Sequence, residues 1–299
     1  MSGRTTATPC ALTRRAWLAA LAGTLAGADR ALAAVVSPRV VALDWGWAET
    51  LIAIGHPPIA IVERSGYQNL VVEPPLPDST LDLGVHTEPS LVRLHRIKPD
   101  LIVSTPALES LRHLVEPIAP VLSLGIFPAP SGALQRAREQ TLALARAIGS
   151  EDAARTYLDR TEIELAHLRA GLCRQAAPVF VVRIVDARHA VVFGRNSLFQ
   201  GILDALGLEN AWQAPTNGYG TQSIGLEKLA SSPQAMLVSI SSGGAGAISP
   251  PDGPFWRSLP FVRNNRVAAL PAIWGFGAVP SAMRFARLLA AQLSRCSHD

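Results

Sequence analysis

No segment of this sequence has the ~20 uninterrupted apolar residues that a membrane-spanning helix needs, although 48% of its residues are hydrophobic. Cysteine is scarce, three in 299 residues, which excludes a disulfide scaffold and any Cys-x-x-Cys metal site. Cys10 precedes an apolar stretch and stands apart, while Cys173 and Cys296 suit one disulfide or two separate thiols equally. Charged residues make up only 17%, and no Lys/Arg run or RNA-binding signature occurs, so nucleic acid is not an expected partner. There is no G-x-S-x-G elbow, no P-loop and no His-Glu-x-x-His. Gly243, Gly244 and Gly246 fail the dinucleotide spacing, and the seven histidines lack metal-ligand spacing, so no directly held metal and no cofactor are expected.

What is present begins with an address. Thr13-Arg14-Arg15-Ala16-Trp17-Leu18-Ala19 sets paired arginines before an apolar stretch, and Ala31-Leu32-Ala33 offers a small-residue cleavage pattern. Residues 1–33 thus read as a twin-arginine export signal cleaved near Ala33; an ordinary amphipathic helix would leave the cleavage pattern unexplained. Cleavage removes Arg4, Arg14, Arg15 and Arg30 against Asp29, taking the formal charge from +4 to about +1.

The remainder is long enough for two domains. Short apolar runs alternate with helical patterns, predicting strands at 39–43, 58–62, 101–104 and 121–124, with a helix at 49–54 stopped by Gly55. A second block predicts strands at 179–185, 190–193, 236–240 and 266–270, with helices at 198–206 and 281–293. Between the blocks, Ser150 is placed to cap a helix over 151–172, with Ala154, Tyr157, Leu158, Thr161, Leu165, Leu168 and Leu172 along one stripe. Such a helix spans on the order of 30 Å. It either bridges two lobes and limits their opening or covers one sheet. The bridging reading gives α/β Rossmann-like lobes with mostly parallel sheets at 34–149 and 174–299, joined by one long helix at 150–173. The Gly/Ser/Pro-rich stretch 241–254 reads as a surface loop.

Aromatics concentrate where strands pass into helices. Trp45 and Trp47 follow the first strand, Tyr67 the second, Trp212 and Tyr219 a helix of the second block, and Trp274 and Phe276 the last strand. In open α/β sheets ligands sit beyond the carboxyl ends of strands, and aromatics there can wall a cleft. Each one alone could equally be core.

With those residues in view, the chain resembles the periplasmic binding proteins of cobalamin and iron-siderophore importers, and among them the ferric-hydroxamate type. The most specific segments are Glu73-Pro74-Pro75-Leu76-Pro77-Asp78-Ser79, Thr87-Glu88-Pro89, Asn196-Ser197-Leu198-Phe199-Gln200, Asn210-Ala211-Trp212-Gln213, Leu259-Pro260-Phe261-Val262-Arg263 and Pro271-Ala272 with Trp274. The resemblance implies a shallow cleft between lobes and no catalysis. It places ligand contacts at Trp45, Tyr67, Trp212 and Trp274, with Tyr219 where the family has tryptophan and Phe276 where it has tyrosine. It puts His86 in the place of an arginine that touches the iron-bound oxygens, and Leu108 in that of a tyrosine. Imidazole offers fewer donors than guanidinium, so the same chelate would bind less tightly or the ligand differs. For docking on the membrane permease the resemblance implies Glu227 on one lobe; its counterpart falls on Val92, with Glu88 nearby.

The expectation is therefore a monomeric periplasmic binding protein that delivers a ferric siderophore to an ABC importer's permease and ATPase at the inner membrane. Cobalamin or haem is the alternative cargo. A scavenger or sensor that has lost transport and an exported enzyme are the more distant rivals.

Overall fold

The computed structural model describes residues 37–128, 132–172, 177–243 and 252–293. From Pro38 onward they belong to one compact unit. The export-signal reading of residues 1–33, Cys173, Cys296 and part of the 241–254 loop lie outside the described residues.

The first half builds on β1 (Val40–Ala42), β2 (Ala60–Ile61), β3 (Leu81–Asp82), β6 (Leu101–Ser104) and β7 (Val121–Ser123), with a small hairpin of β4 (Gly84–Val85) and β5 (Glu88–Pro89). Its five-stranded sheet has the order β3-β2-β1-β6-β7, and every pairing is parallel, for example Val41 with Ala60 and with Ile102. The central strands β1 and β2 are fully buried and uniformly apolar, as expected where both faces of a parallel sheet are covered.

The second half builds on β8 (Val179–Ile184), β9 (His189–Phe193), β10 (Thr221–Gly225), β11 (Met236–Ile240) and β12 (Val267–Leu270). The order is β10-β9-β8-β11-β12. Here β8, β11 and β12 pair in parallel, whereas β9 runs antiparallel to both of its neighbours, β8 and β10.

The principal helices are α1 (Trp45–Ala53), α2 (Arg64–Leu70), α3 (Leu91–Ile97), α4 (Ala133–Ile148), α5 (Glu151–Ala170), α6 (Leu198–Leu206) and α7 (Val279–Leu293). Helix α5 is the long connector between the two sheets, and its buried stripe is Ala154, Leu158, Thr161 and Leu165. It packs against α4, α6 and α7, while α7 also returns to pack on α1 of the first half. One apolar cluster accordingly runs through both halves, from Trp47, Leu51 and Ile61 to Phe193, Phe199 and Phe285.

Several local expectations need correction. Helix α1 starts at Trp45, four residues before the expected Glu49, because the Asp44 carboxylate accepts the N–H groups of Gly46 and Trp47. Ser150 precedes α5 without any side-chain capping bond. Strands β3 and β10, the β4–β5 hairpin and helix α4 were not expected. Strand β3 spans two residues, and edge strand β10 is largely polar, so neither carries a strong periodic signal.

Candidate functional site

In the first sheet the chain leaves β1 toward β2 on one side and β6 toward β7 on the other. A crevice opens where the order reverses, beyond the carboxyl ends of the strands. Asp44 follows β1, Thr105 and Ala107 follow β6, and Leu124, Ile126 and Phe127 follow β7. Together with Trp47, His86 from the hairpin, and Tyr219 and Phe276 from the second half, they enclose a cavity of ≈ 80 Å³.

Local hydrogen bonds shape the segments that carry Asp44, His86 and Tyr219. Asp44 Oδ1 accepts hydrogen bonds from the N–H of Gly46 at 2.8 Å and of Trp47 at 3.4 Å. The His86 N–H donates to Glu63 Oε1 at 3.1 Å, fixing the tip of the hairpin. Tyr219 sits in a turn organised by Asn217, whose Oδ1 accepts from the N–H groups of Tyr219 and Thr221 at 2.9 and 3.1 Å. The next residue, Gly220, has φ +73°, and a Cβ there would lie 2.1 Å from the Ser197 nitrogen. Only glycine fits that approach.

The rings form a continuous run across both halves. Phe127 stacks on Tyr219 with centroids 6.0 Å apart, and Phe276 stands edge-on to both, at 6.1 and 5.9 Å. Phe276 meets Trp274 at 5.4 Å, Trp274 meets Trp45 at 5.0 Å, and Trp45 meets His86 at 6.4 Å. Tyr219 is 38% exposed, at the mouth. Among the described residues the Trp274 Nε1–H is buried and finds no hydrogen-bond acceptor.

The sequence-predicted residues divide accordingly. His86, Tyr219, Trp274, Phe276 and, through its ring contacts, Trp45 come together. Trp45 is nonetheless nearly buried, its Nε1–H donating to the Val62 carbonyl at 2.9 Å. Tyr67 is wholly buried, its hydroxyl donating to the Pro74 carbonyl at 2.7 Å. Leu108 packs among Val41, Leu43, Leu94 and Ile102. Tyr67 and Leu108 thus face the core rather than the cleft. Trp212 lines a different groove of ≈ 500 Å³ with Arg138, Arg195, Gln200 and Gln213. Glu227 is exposed beside Arg188, Phe255 and Trp256. Glu88 is exposed on β5, and Val92 is 71% exposed on α3.

Asp44, Thr105, Leu124, Ile126 and Phe127 were missed. Asp44 directly precedes the Trp45 helix as an N-cap residue does, and Phe127 follows a strand just as Trp274 does. Burial holds the Asp44 carboxyl above its ordinary range, opposed by the nearby His86 and by the two backbone N–H bonds. Glu49, fully buried behind the site, is pushed up to about 8, chiefly by burial. No group of three or more His, Cys, Asp or Glu among the described residues is arranged to hold a metal ion.

Residues 40–273 match the model of the periplasmic binding protein family. The chain is 34% identical over 264 residues to the iron(3+)-hydroxamate-binding protein FhuD of Escherichia coli, covering 87% of this chain and 89% of that protein. The structure matches the Fe3+-Desferal-bound siderophore-binding protein FhuD of Vibrio cholerae with a TM-score of 0.82 and 28% identity, over 86% of this chain and 98% of the other. The triscatecholate siderophore-binding protein FeuA of Bacillus subtilis shares the fold, with a TM-score of 0.68 and 18% identity over 87% and 94% of the two chains. This chain belongs to the periplasmic binding protein family.

Proposed function

We propose that this member of the periplasmic binding protein family is the exported solute-binding component of an ABC importer, binding an Fe(III)-hydroxamate siderophore and delivering it to the membrane permease. The observation that carries the reading is the ring run at the crevice, in which Phe127 from one half meets Tyr219 and Phe276 from the other. Apolar ring faces suit the hydrocarbon surface of a chelate. His86 and the Trp274 N–H are the donors for its metal-bound oxygens. The likeness to FhuD of E. coli and of V. cholerae supports the same ligand class.

The cavity of ≈ 80 Å³ is well below the ~300–1,000 Å³ of a site that swallows a whole ligand. A chelate therefore rests over Tyr219 and Phe276 at the mouth of the cavity. The lobes are assigned to 34–149 and 174–299, joined by the linking helix at 150–173. Glu227 and Glu88, exposed on the two halves, are the carboxylates for arginines on the permease, where rim charges set orientation and encounter rate. The protein works as a periplasmic monomer, freed of residues 1–33, and carries no catalytic role. Among the described residues no helix is long and apolar enough to cross a membrane.

His86 in the cavity also supports a second cargo, haem or cobalamin, whose metal an imidazole could approach. A titration of tryptophan fluorescence with ferric hydroxamates, haem and cobalamin separates the two. Quenching by micromolar ferric hydroxamate is expected. A Soret shift with haem that vanishes in His86→Ala, without a response to any siderophore, would favour the second reading.

A further inference from the structure

The cavity at the sheet reversal holds one carboxylate and no lysine or arginine. Asp44 is its one acidic residue and His86 its one imidazole, among rings and aliphatic side chains that include Trp47, Phe127, Tyr219 and Phe276. Asp44 spends a single oxygen on capping α1: Oδ1 takes both backbone N–H bonds, while Oδ2 takes no hydrogen bond from the described residues. One carboxylate oxygen is thus left for a partner the protein does not supply, in surroundings that are mainly aromatic and aliphatic. Desolvation already disfavours the ionised carboxylate there, and a cation brought to it would relieve that cost.

Size narrows what that cation can be. A volume of ≈ 80 Å³ is a small fraction of the ~300–1,000 Å³ that a whole drug-sized ligand occupies. That admits a primary ammonium with its first methylene groups and excludes a chelate. Ring walls favour the same group, since alkylammonium ions are held by aromatic faces as well as by carboxylates. The charge balance points the same way. Three hydroxamate anions neutralise Fe(III), whereas three doubly charged catecholates leave a trianion, which a carboxylate without a neighbouring fixed cation repels.

We propose that Asp44 is a specificity-determining residue that pairs, through Oδ2, with a protonated amine arm carried by the ferric chelate, so that the site selects hydroxamates bearing an alkylammonium over neutral and anionic chelates. This rests on the chelate reading above. Asparagine caps helices about as well as aspartate, so Asp44→Asn removes the charge and keeps α1.

The test titrates wild type and Asp44→Asn with ferrioxamine B, which carries a free primary amine, and with its N-acetylated form, following tryptophan fluorescence. Wild type is expected to prefer the free amine by about ten-fold, the scale of a charge-assisted hydrogen bond, and Asp44→Asn to bind both forms within about two-fold of each other. Equal affinity of wild type for the two forms overturns the role of Asp44 and leaves the chelate reading intact. Failure of both to bind overturns the chelate reading. In that event n-butylammonium against n-butanol decides the role of Asp44 directly. A shift of the Trp47 indole N–H resonance with the ammonium alone, absent in Asp44→Asn, supports it, and no shift overturns it.

Discussion

The Ser281 hydroxyl donates a 2.6 Å hydrogen bond to Glu49 Oε2 across 232 residues of sequence. The other oxygen of Glu49 accepts the N–H groups of Ala278 at 2.6 Å and Ser281 at 3.3 Å. A carboxyl from α1 thereby satisfies donors at the start of α7. The contact ties the first half of the molecule to the last helix, directly behind the cavity.

The pinned carboxyl predicts a pH-dependent stability. Burial outweighs the three hydrogen bonds and lifts Glu49 from 4.5 to about 8, with Asp44 adding to the rise. The folded state therefore holds a proton that the unfolded chain gives up at lower pH. The stabilisation is fully present below pH 4.5 and is lost as pH rises through about 8. Its scale is on the order of several kcal/mol, since one pH unit of separation corresponds to ~1.36 kcal/mol. Urea unfolding between pH 5 and 9 should show midpoints falling with pH in wild type. Glu49→Gln, which keeps an acceptor and stays neutral, should flatten the slope; an unchanged slope would remove Glu49 as its source.

A second tie is ionic. Arg284 Nη1 lies 2.5 Å from Glu73 Oε1 and is nearly buried, while its Nε–H donates to the Ala272 carbonyl at 3.3 Å. Glu73→Gln leaves a guanidinium without its counter-charge. The partner is half-exposed, so the expected loss is about 1–2 kcal/mol rather than the larger cost of breaking a fully buried pair. Chemical denaturation checks it, and a loss below about 0.5 kcal/mol would mean that water replaces Glu73 adequately.

Gly220→Ala should damage both stability and binding. At φ +73° with a Cβ 2.1 Å from the Ser197 nitrogen, the turn must move, and Tyr219 with it. A destabilisation of about 2–4 kcal/mol is expected from left-handed strain and overpacking. Chelate affinity measured below the unfolding transition should fall as well. Retained affinity would show that the placement of Tyr219 does not matter.

Much of the architecture was legible because its signals are local. The apolar runs of β1, β6, β8 and β11, the apolar spacing of α6 and the stripe on α5 all repeat with the period of their element. The cleft was only half legible. Aromatics at element junctions drew attention to Tyr219, Trp274 and Phe276, which the structure brings together, but nothing in the pattern distinguishes such a ring from one such as Tyr67, whose hydroxyl finds the Pro74 carbonyl. The family resemblance put Leu108 in the site, yet an aliphatic side chain there joins the apolar cluster under the sheet. Asp44 was overlooked because Gly46 and two tryptophans make a poor helical start, which hid the cap and with it the carboxylate in the cavity.

The central claim is that rings from both halves hold the cargo. Calorimetric titration with ferrioxamine B of the wild type, Tyr219→Ala, Phe276→Ala and the double variant tests it most directly. Truncating a ring that buries against a ligand costs about 1.5–3 kcal/mol, so each single variant should bind roughly ten- to a hundred-fold more weakly and the double variant should show no heat at micromolar concentration. Wild-type affinity in the double variant would contradict the account.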